Sequence, residues 1–290
     1  MTKTIGIIGL GRIGLPVARA FIDAGYTVFG CEKQQGRTSE FEAYGGILSS
    51  NPSSLSKLVD TIMVIVLNDD QVIEVVTGNK GVIYGENPRL TVICMSTINR
   101  ANLEVAAAKC EEEGIHFVDC PFTGGPARVP NGSLTLITAA SPEVLEFVRP
   151  YLEVVGSVIH AGDTPGQGQA VKHCNQLLVG ATHAATMEVI ALARKLGLDA
   201  NLVCEVVGKG ISGSDYFRLL SEAVLFNKPS PGSLGQMCKD VSIVKNTARN
   251  AGLPAHVAMA VATYFEEAET KGMQNCEGAE LIEIVENVGK

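Results

Sequence analysis

The stretch Thr4-Ile-Gly-Ile-Ile-Gly9-Leu-Gly11-Arg-Ile-Gly14-Leu-Pro-Val-Ala18 constrains this chain more than any other. A short apolar run meets three glycines in a GxGxxG spacing, and a helical apolar pattern follows. In that setting Gly9 makes the tight turn, Gly11 lets the backbone approach a pyrophosphate, and Gly14 lets helix and strand pack closely. The backbone around Leu10, Arg12 and Ile13, together with the helix dipole, suits phosphate oxygens. Pro16 is tolerated because it falls in the first helical turn. An acidic residue is expected about 20 residues onward, and Glu32 stands there. Its carboxylate would accept the adenosine ribose hydroxyls and repel a 2′-phosphate, which favours NAD. Lys33 and Arg37 leave NADP open, because either could clasp that phosphate.

Strands are expected over 4–9, 27–31, 61–67, 90–95, 115–119, 134–139 and 154–159. Helical patterns over 13–24, 69–77, 99–113 and 142–153 lie among them. Such alternation implies an α/β fold with a doubly wound, largely parallel sheet. After His160 the strand pattern stops. Helices are expected over 166–196, 200–209, 215–226, 234–251 and 257–271, with a short one near the end. The expected organisation is a Rossmann-type dinucleotide-binding domain over 1–163 and an all-α substrate and dimerisation domain over 164–290. The helix joining them would be about 45 Å long at 1.5 Å per residue.

Hydrophobic residues make up 46% of the 290 and charged residues 19%, the balance of a packed globular chain. The net charge of −8 without a Lys/Arg block argues against nucleic-acid and anionic-membrane partners. Unbroken apolar runs are strand-sized, the longest useful one being 62–67, so no membrane span is expected. Glycines and Arg12 interrupt the apolar N-terminal stretch, which does not resemble a signal peptide. Eight cysteines without a CxxC pair suggest reduced thiols in a cytoplasm. Neither they nor His116, His160, His173, His183 and His256 form a ligand cluster, so no metal is expected.

Two segments carry candidate chemistry. In Asp119-Cys-Pro-Phe-Thr123-Gly124-Gly125, a hydroxyl and two glycines follow a strand end, where open α/β sheets bind ligands. Their N–H groups would form a concavity for a carboxylate, although such a sequence also makes ordinary turns. In Gly166-Gln-Gly168-Gln-Ala-Val-Lys172-His-Cys-Asn175, Lys172 and Asn175 are three apart and share a helix face. A lysine beside an amide suits a proton carrier with an oriented hydrogen-bond partner. Burial and a positive nicotinamide ring would both disfavour its ammonium form. The helix pattern alone equally accommodates a solvated or capping lysine. Asp119 reads as a strand-end anchor and Glu188 as a structural hydrogen-bonding group.

Together these segments resemble the β-hydroxyacid dehydrogenase family, over nearly the whole chain. The family's first signature is similar to residues 5–18, and its Asp-Ala-Pro-Val-Ser-Gly-Gly motif to residues 119–125. Its Gly-x-Gly-x-x-x-Lys-x-x-Asn motif stands intact at 166–175. Its Leu-Pro strand end resembles Leu67-Asn68, its Ser-Thr pair Ser96-Thr97, and its late Lys-Asp pair Lys239-Asp240. The resemblance implies hydride transfer between NAD(P)(H) and a small 3-hydroxy acid or its semialdehyde. It implies Lys172 as general acid/base, with Asn175 orienting the same oxygen. It implies Thr123, Gly124 and Gly125, beside Ser96, at the substrate. It places Leu67, Asn68 and Thr97 on the nicotinamide side and Lys239 against the cofactor. It also implies a homodimer or homotetramer through the helical domains, where Ala181, Ala184, Ala185, Ala191 and Ala193 would allow close packing. Thr123 for Ser, Phe122 for Val and Glu277 for Asp depart from the pattern, and the first two put substrate identity in doubt. Arg128 is either a loop arginine or a contact for a second anionic group. An imine reductase, or a protein that only binds the dinucleotide, is the alternative, and retention of Lys172 speaks against both.

Overall fold

The computed structural model describes residues 3–287. The chain divides into two compact units, one ending at Lys172 and one beginning at His173.

The first unit is built on a sheet. Its strands are β1 (Thr4–Ile8), β2 (Thr27–Cys31), β3 (Ile47–Leu48), β4 (Thr61–Val64), β5 (Thr91–Cys94), β6 (His116–Asp119), β7 (Phe122–Thr123), β8 (Leu134–Ala139) and β9 (Gly156–Gly162). Its helices are α1 (Gly14–Asp23), α2 (Gln35–Ala43), α3 (Pro52–Ser56), α4 (Asp69–Thr77), α5 (Arg100–Glu112) and α6 (Pro142–Leu152). The strand order is β3-β2-β1-β4-β5-β6-β8-β7, with β9 on β8. The first six strands are parallel, and β8 runs antiparallel to β6 and β7. The order reverses between β1 and β4, the switch point at which open α/β sheets leave a crevice.

Residue alternation explains the two faces of this sheet. Ile5, Ile7, Met63, Ile93 and Val118 pack with Val17, Ala18 and Phe21 of α1 and Leu145, Val148 and Leu152 of α6. Ile8, Ile62, Val64, Val92 and Cys94 pack with Val72 and Val76 of α4 and Leu103, Ala106 and Cys110 of α5. Pairing ends at Ile8, Val64 and Cys94, short of the expected Gly9, Leu67 and Met95. The residues so released form the loops above the strand ends. Segment 35–56, for which no element was expected, holds α2, β3 and α3. Of these, α2 buries only Phe41, too little to leave a period in the sequence.

Helix α7 (Gln167–Lys195) continues from the first unit into the second, which adds α8 (Ala200–Lys209), α9 (Asp215–Phe226), α10 (Leu234–Asn250), α11 (His256–Thr270) and α12 (Leu281–Asn287). Ala184, Met187 and Ala191 of α7 pack with Leu220, Val241, Phe265 and Leu281. His183, also on α7, is buried. Its Nδ1 lies 3.0 Å from the Tyr216 hydroxyl and its Nε2 lies 2.9 Å from the Gly278 carbonyl. Burial pushes its pKa down to about 4. Buried His173 meets Thr247 Oγ1 at 3.0 Å, and Glu188 accepts the Tyr264 hydroxyl at 2.6 Å.

Helix α7 bears on two expectations. Counting unbroken apolar runs suggested no segment of membrane-span length. The helix contains an 18-residue window of mean hydropathy 1.3, long and apolar enough to cross a bilayer, with half of it buried within the protein. The small residues Ala184, Ala191 and Ala193 are buried in the protein's own core. The exposed side instead carries Val171, Leu178, Ala185 and Leu192, seven residues apart.

Candidate active site

The first turn after β1 is a cradle that demands glycine at two positions. Gly9 has φ +91°, and a Cβ there would stand 2.3 Å from the Ile65 carbonyl oxygen. A Cβ on Gly14 would stand 1.8 Å from the Gly9 oxygen. At Gly11 a Cβ would meet only the end of the Arg37 side chain, at 3.3 Å, so the backbone faces space rather than packed atoms. Ile13 at the N-cap of α1 offers no side-chain cap, which suits the first-turn N–H groups to an anion. Leu10 is buried and Arg12 exposed. These residues fit the diphosphate of a dinucleotide.

Glu32 follows β2 and joins this turn. Its Oε2 accepts the Leu10 N–H at 2.9 Å, and its Oε1 accepts those of Lys33 and Gln34 at 2.7 and 3.0 Å. Arg37 Nη1 lies 3.7 Å from Oε2, while Lys33 is drawn 2.7 Å from Glu74. Both Lys33 and Arg37 are thus paired with a carboxylate.

The loops after β4 and β5 are tied together. Ser96 Oγ donates to the Val66 oxygen at 2.8 Å and accepts the Val66 N–H at 2.9 Å. Leu67 is half-exposed and donates its N–H to Gln71 Oε1 at 2.9 Å. Asn68 caps α4 by accepting the Gln71 N–H at 3.0 Å. Thr97 is partly buried.

Thr123 pairs with Thr135 at the end of β7, and Gly124 and Gly125 follow at φ +128° and +72°. The Arg128 stem lies over Gly124, its Cδ 2.9 Å from where a Cβ would stand. Asp119, at the end of β6, is fully buried. Its Oδ2 accepts the N–H groups of Gly166 and Gln169 at 2.8 and 3.0 Å. Burial pushes its pKa up to about 6, against the pull of these donors. Lys172, a turn further along α7, is only 6% exposed. The solvated lysine that the helix pattern allowed is therefore not what the structure contains.

In the helical unit, Asn175 Nδ2 donates to Gln176 Oε1 at 2.9 Å, and Gln176 Nε2 donates to Asp240 Oδ2 at 2.7 Å. Lys239 Nζ lies 3.0 Å from Asp240 Oδ1. A polar chain thus joins Asn175 on α7 to Lys239 on α10. Sequence reasoning singled out both ends and missed Gln176, which lies beside Asn175 without a motif position of its own. Among the described residues, no group of three or more His, Cys, Asp or Glu side chains is placed to hold a metal.

Residues 4–162 match the family described as the NAD binding domain of 6-phosphogluconate dehydrogenase. Residues 166–285 match the one described as NAD-binding of NADP-dependent 3-hydroxyisobutyrate dehydrogenase. The L-threonate dehydrogenase of Cupriavidus necator is 29% identical, over 98% of this chain and 96% of its own. The crystal structure of a 3-hydroxyisobutyrate dehydrogenase from Salmonella typhimurium superposes with TM-score 0.90 at 27% identity, covering 97% of this chain and 99% of that one. An imine reductase from Myxococcus stipitatus, at TM-score 0.69 and 19% identity over 97% and 99% of the two chains, shares the fold. Glycine cradle, dehydrogenase relatives and matching architecture converge: the chain belongs to the β-hydroxyacid dehydrogenases, NAD(P)-dependent oxidoreductases acting on the CH–OH group of small hydroxy acids.

Proposed function

We propose that the protein interconverts a small 3-hydroxy acid and its semialdehyde or oxo acid, with Lys172 as general acid/base and NAD as the preferred cofactor. The burial of Lys172 at the start of α7 carries this reading. An ammonium group is costly to bury, and such groups are kept where chemistry uses them. The bound nicotinamide supplies or accepts the hydride. Lys172 Nζ gives a proton to the carbonyl oxygen during reduction and takes it back during oxidation. Asn175, one turn on, orients that oxygen. Thr123 and the N–H groups of Gly124 and Gly125 receive the substrate carboxylate. Ser96 borders the substrate while its hydroxyl holds the Val66 backbone, which shapes the loop bearing Leu67 and Asn68, and Thr97 borders the same loop. Lys239 meets the cofactor, kept in place by Asp240. The pairing of Arg37 with Glu32 and of Lys33 with Glu74 supports NAD over NADP.

Residues 1–163 serve as the dinucleotide-binding part and 164–290 as the helical part, which contributes Lys172, Asn175 and Lys239. The enzyme works in a reducing cytoplasm, in keeping with eight unbridged cysteines. It assembles as a homo-oligomer through the exposed apolar seam of α7. The decisive experiment is Lys172→Ala, assayed with NAD and NADP on hydroxy acids including 3-hydroxyisobutyrate and L-threonate. Turnover should fall by about 10²- to 10⁴-fold with NADH affinity retained. Full turnover in that variant would remove the proposal.

A further inference from the structure

One buried amide on α7 joins the segment bearing Lys172 to those bearing Ser96-Thr97 and Thr123–Gly125. Gln169 is fully buried, three residues before Lys172 on α7. Its Nε2 donates to the Ser96 oxygen and to Asp119 Oδ1, both at 3.0 Å. Its Oε1 accepts the Ile98 N–H at 3.1 Å. The side chain therefore bonds the carbonyl of residue 96 and the N–H of residue 98, as a neighbouring strand would, at a place where buried backbone groups need partners. Its own backbone N–H and that of Gly166 are capped by Asp119 Oδ2. Gly168 packs so tightly there that a Cβ would stand 2.9 Å from the same oxygen.

These bonds fix the first turn of α7 against segments 96–98 and 119–125. Lysine has a long flexible stem, so the helix's depth and rotation decide where its amine stands. A displacement of about 1 Å at a reacting group can cost about 10²-fold in rate. We propose that Gln169, held by Asp119, is a positioning residue that sets where the Lys172 amine stands relative to Ser96, Thr97 and the Thr123–Gly125 turn. Neither residue exchanges a proton with substrate. This rests on the reading of Lys172 as the proton carrier.

The 290-residue protein loaded with NAD tests it. Gln169→Met keeps the length of the side chain and removes all three of its polar bonds. Asp119→Asn keeps the shape and turns a donor or a neutral oxygen towards Gln169. Each should lower kcat by about 10- to 100-fold, while KM for the hydroxy acid and the Kd for NADH, read by fluorescence titration, change by less than about threefold. The double variant should lose no more than the worse single one, because both break one linkage. If Gln169→Met does not yield folded protein, Gln169→Glu carries the same expectation, since it keeps the acceptor for Ile98 and loses both donors. A kcat within twofold of the parent in a variant that binds NADH normally would overturn the inference. So would losses that multiply in the double variant, or NADH affinity falling in step with kcat. Failure of the underlying reading shows separately, as turnover retained in Lys172→Ala.

Discussion

Glu32 turns one oxygen towards the Leu10 N–H and the other towards the N–H groups of Lys33 and Gln34, so a single carboxylate both shapes the glycine turn and sets its charge. Glu32→Gln would leave at least one of these N–H groups facing an amide donor, a loss of about 1–3 kcal/mol where the group is buried. It would also release Arg37 from its counter-charge. The expected result is a lower melting temperature together with a shift of the kcat/KM ratio towards NADPH by about tenfold, as removing a repulsive element predicts. An unchanged ratio would confine Glu32 to shaping the turn. Glu32 could be found in the sequence because its distance from the glycines is set by one helix and one strand. Gln169 could not, since its motif leaves that position unspecified and its partners lie 50 to 73 residues away in the chain. Lys172 was visible as a residue, but its burial was not, because a helix pattern does not say what covers each face.

At the scale of elements, His183 ties α7 to α9 and to the turn at Gly278, and it does so as a neutral ring. Its pKa of about 4 lies below the ordinary 6.5, so the unfolded chain takes up the proton first. Its stabilising contribution is complete above pH 6.5 and is lost as the pH falls towards 4, about 3 kcal/mol in all. Asp119 acts with the opposite sign in the sheet unit. Its raised pKa, about 6, means that acidification from 6 towards 4 relieves the cost of a buried carboxylate. The His183 effect is therefore read as a difference. The stability of the parent minus that of His183→Gln, followed by denaturant unfolding, should shrink by about 3 kcal/mol between pH 7 and pH 4. A constant difference would mean that the ring takes up its proton at the same pH in the fold as in the unfolded chain. Of the parallel strands, β1, β2, β4, β5 and β6 were readable because each is a short apolar run ended by a turn. By contrast, β3 has two residues and α3 five, and neither is long enough to establish a period.

For the whole molecule, the exposed seam of α7 is the feature that calls for a covering surface. Leu178 and Leu192 are 67% and 58% exposed and lie two helical heptads apart, with Ala185 midway. A second copy presenting the same stripe would bury each leucine for about 1.5–3 kcal/mol. Leu178→Glu combined with Leu192→Glu should convert the proposed oligomer to a 30.6 kDa species by light scattering, and a parent already of that mass would sink the proposal. The alanines drew attention in the sequence because small residues permit close packing, yet the chain uses several of them in its own core. The continuity of α7 has a practical consequence for recombining this enzyme with its relatives. Lys172 and Asn175 fall on opposite sides of the boundary between the two units, yet within a single unbroken helix. A hybrid gene joined at that boundary would draw the two residues from different parents and splice the helix in mid-turn. Crossovers should instead fall in connecting loops such as 210–214 or 227–232, where the exchanged piece leaves Lys172 and Asn175 with one parent.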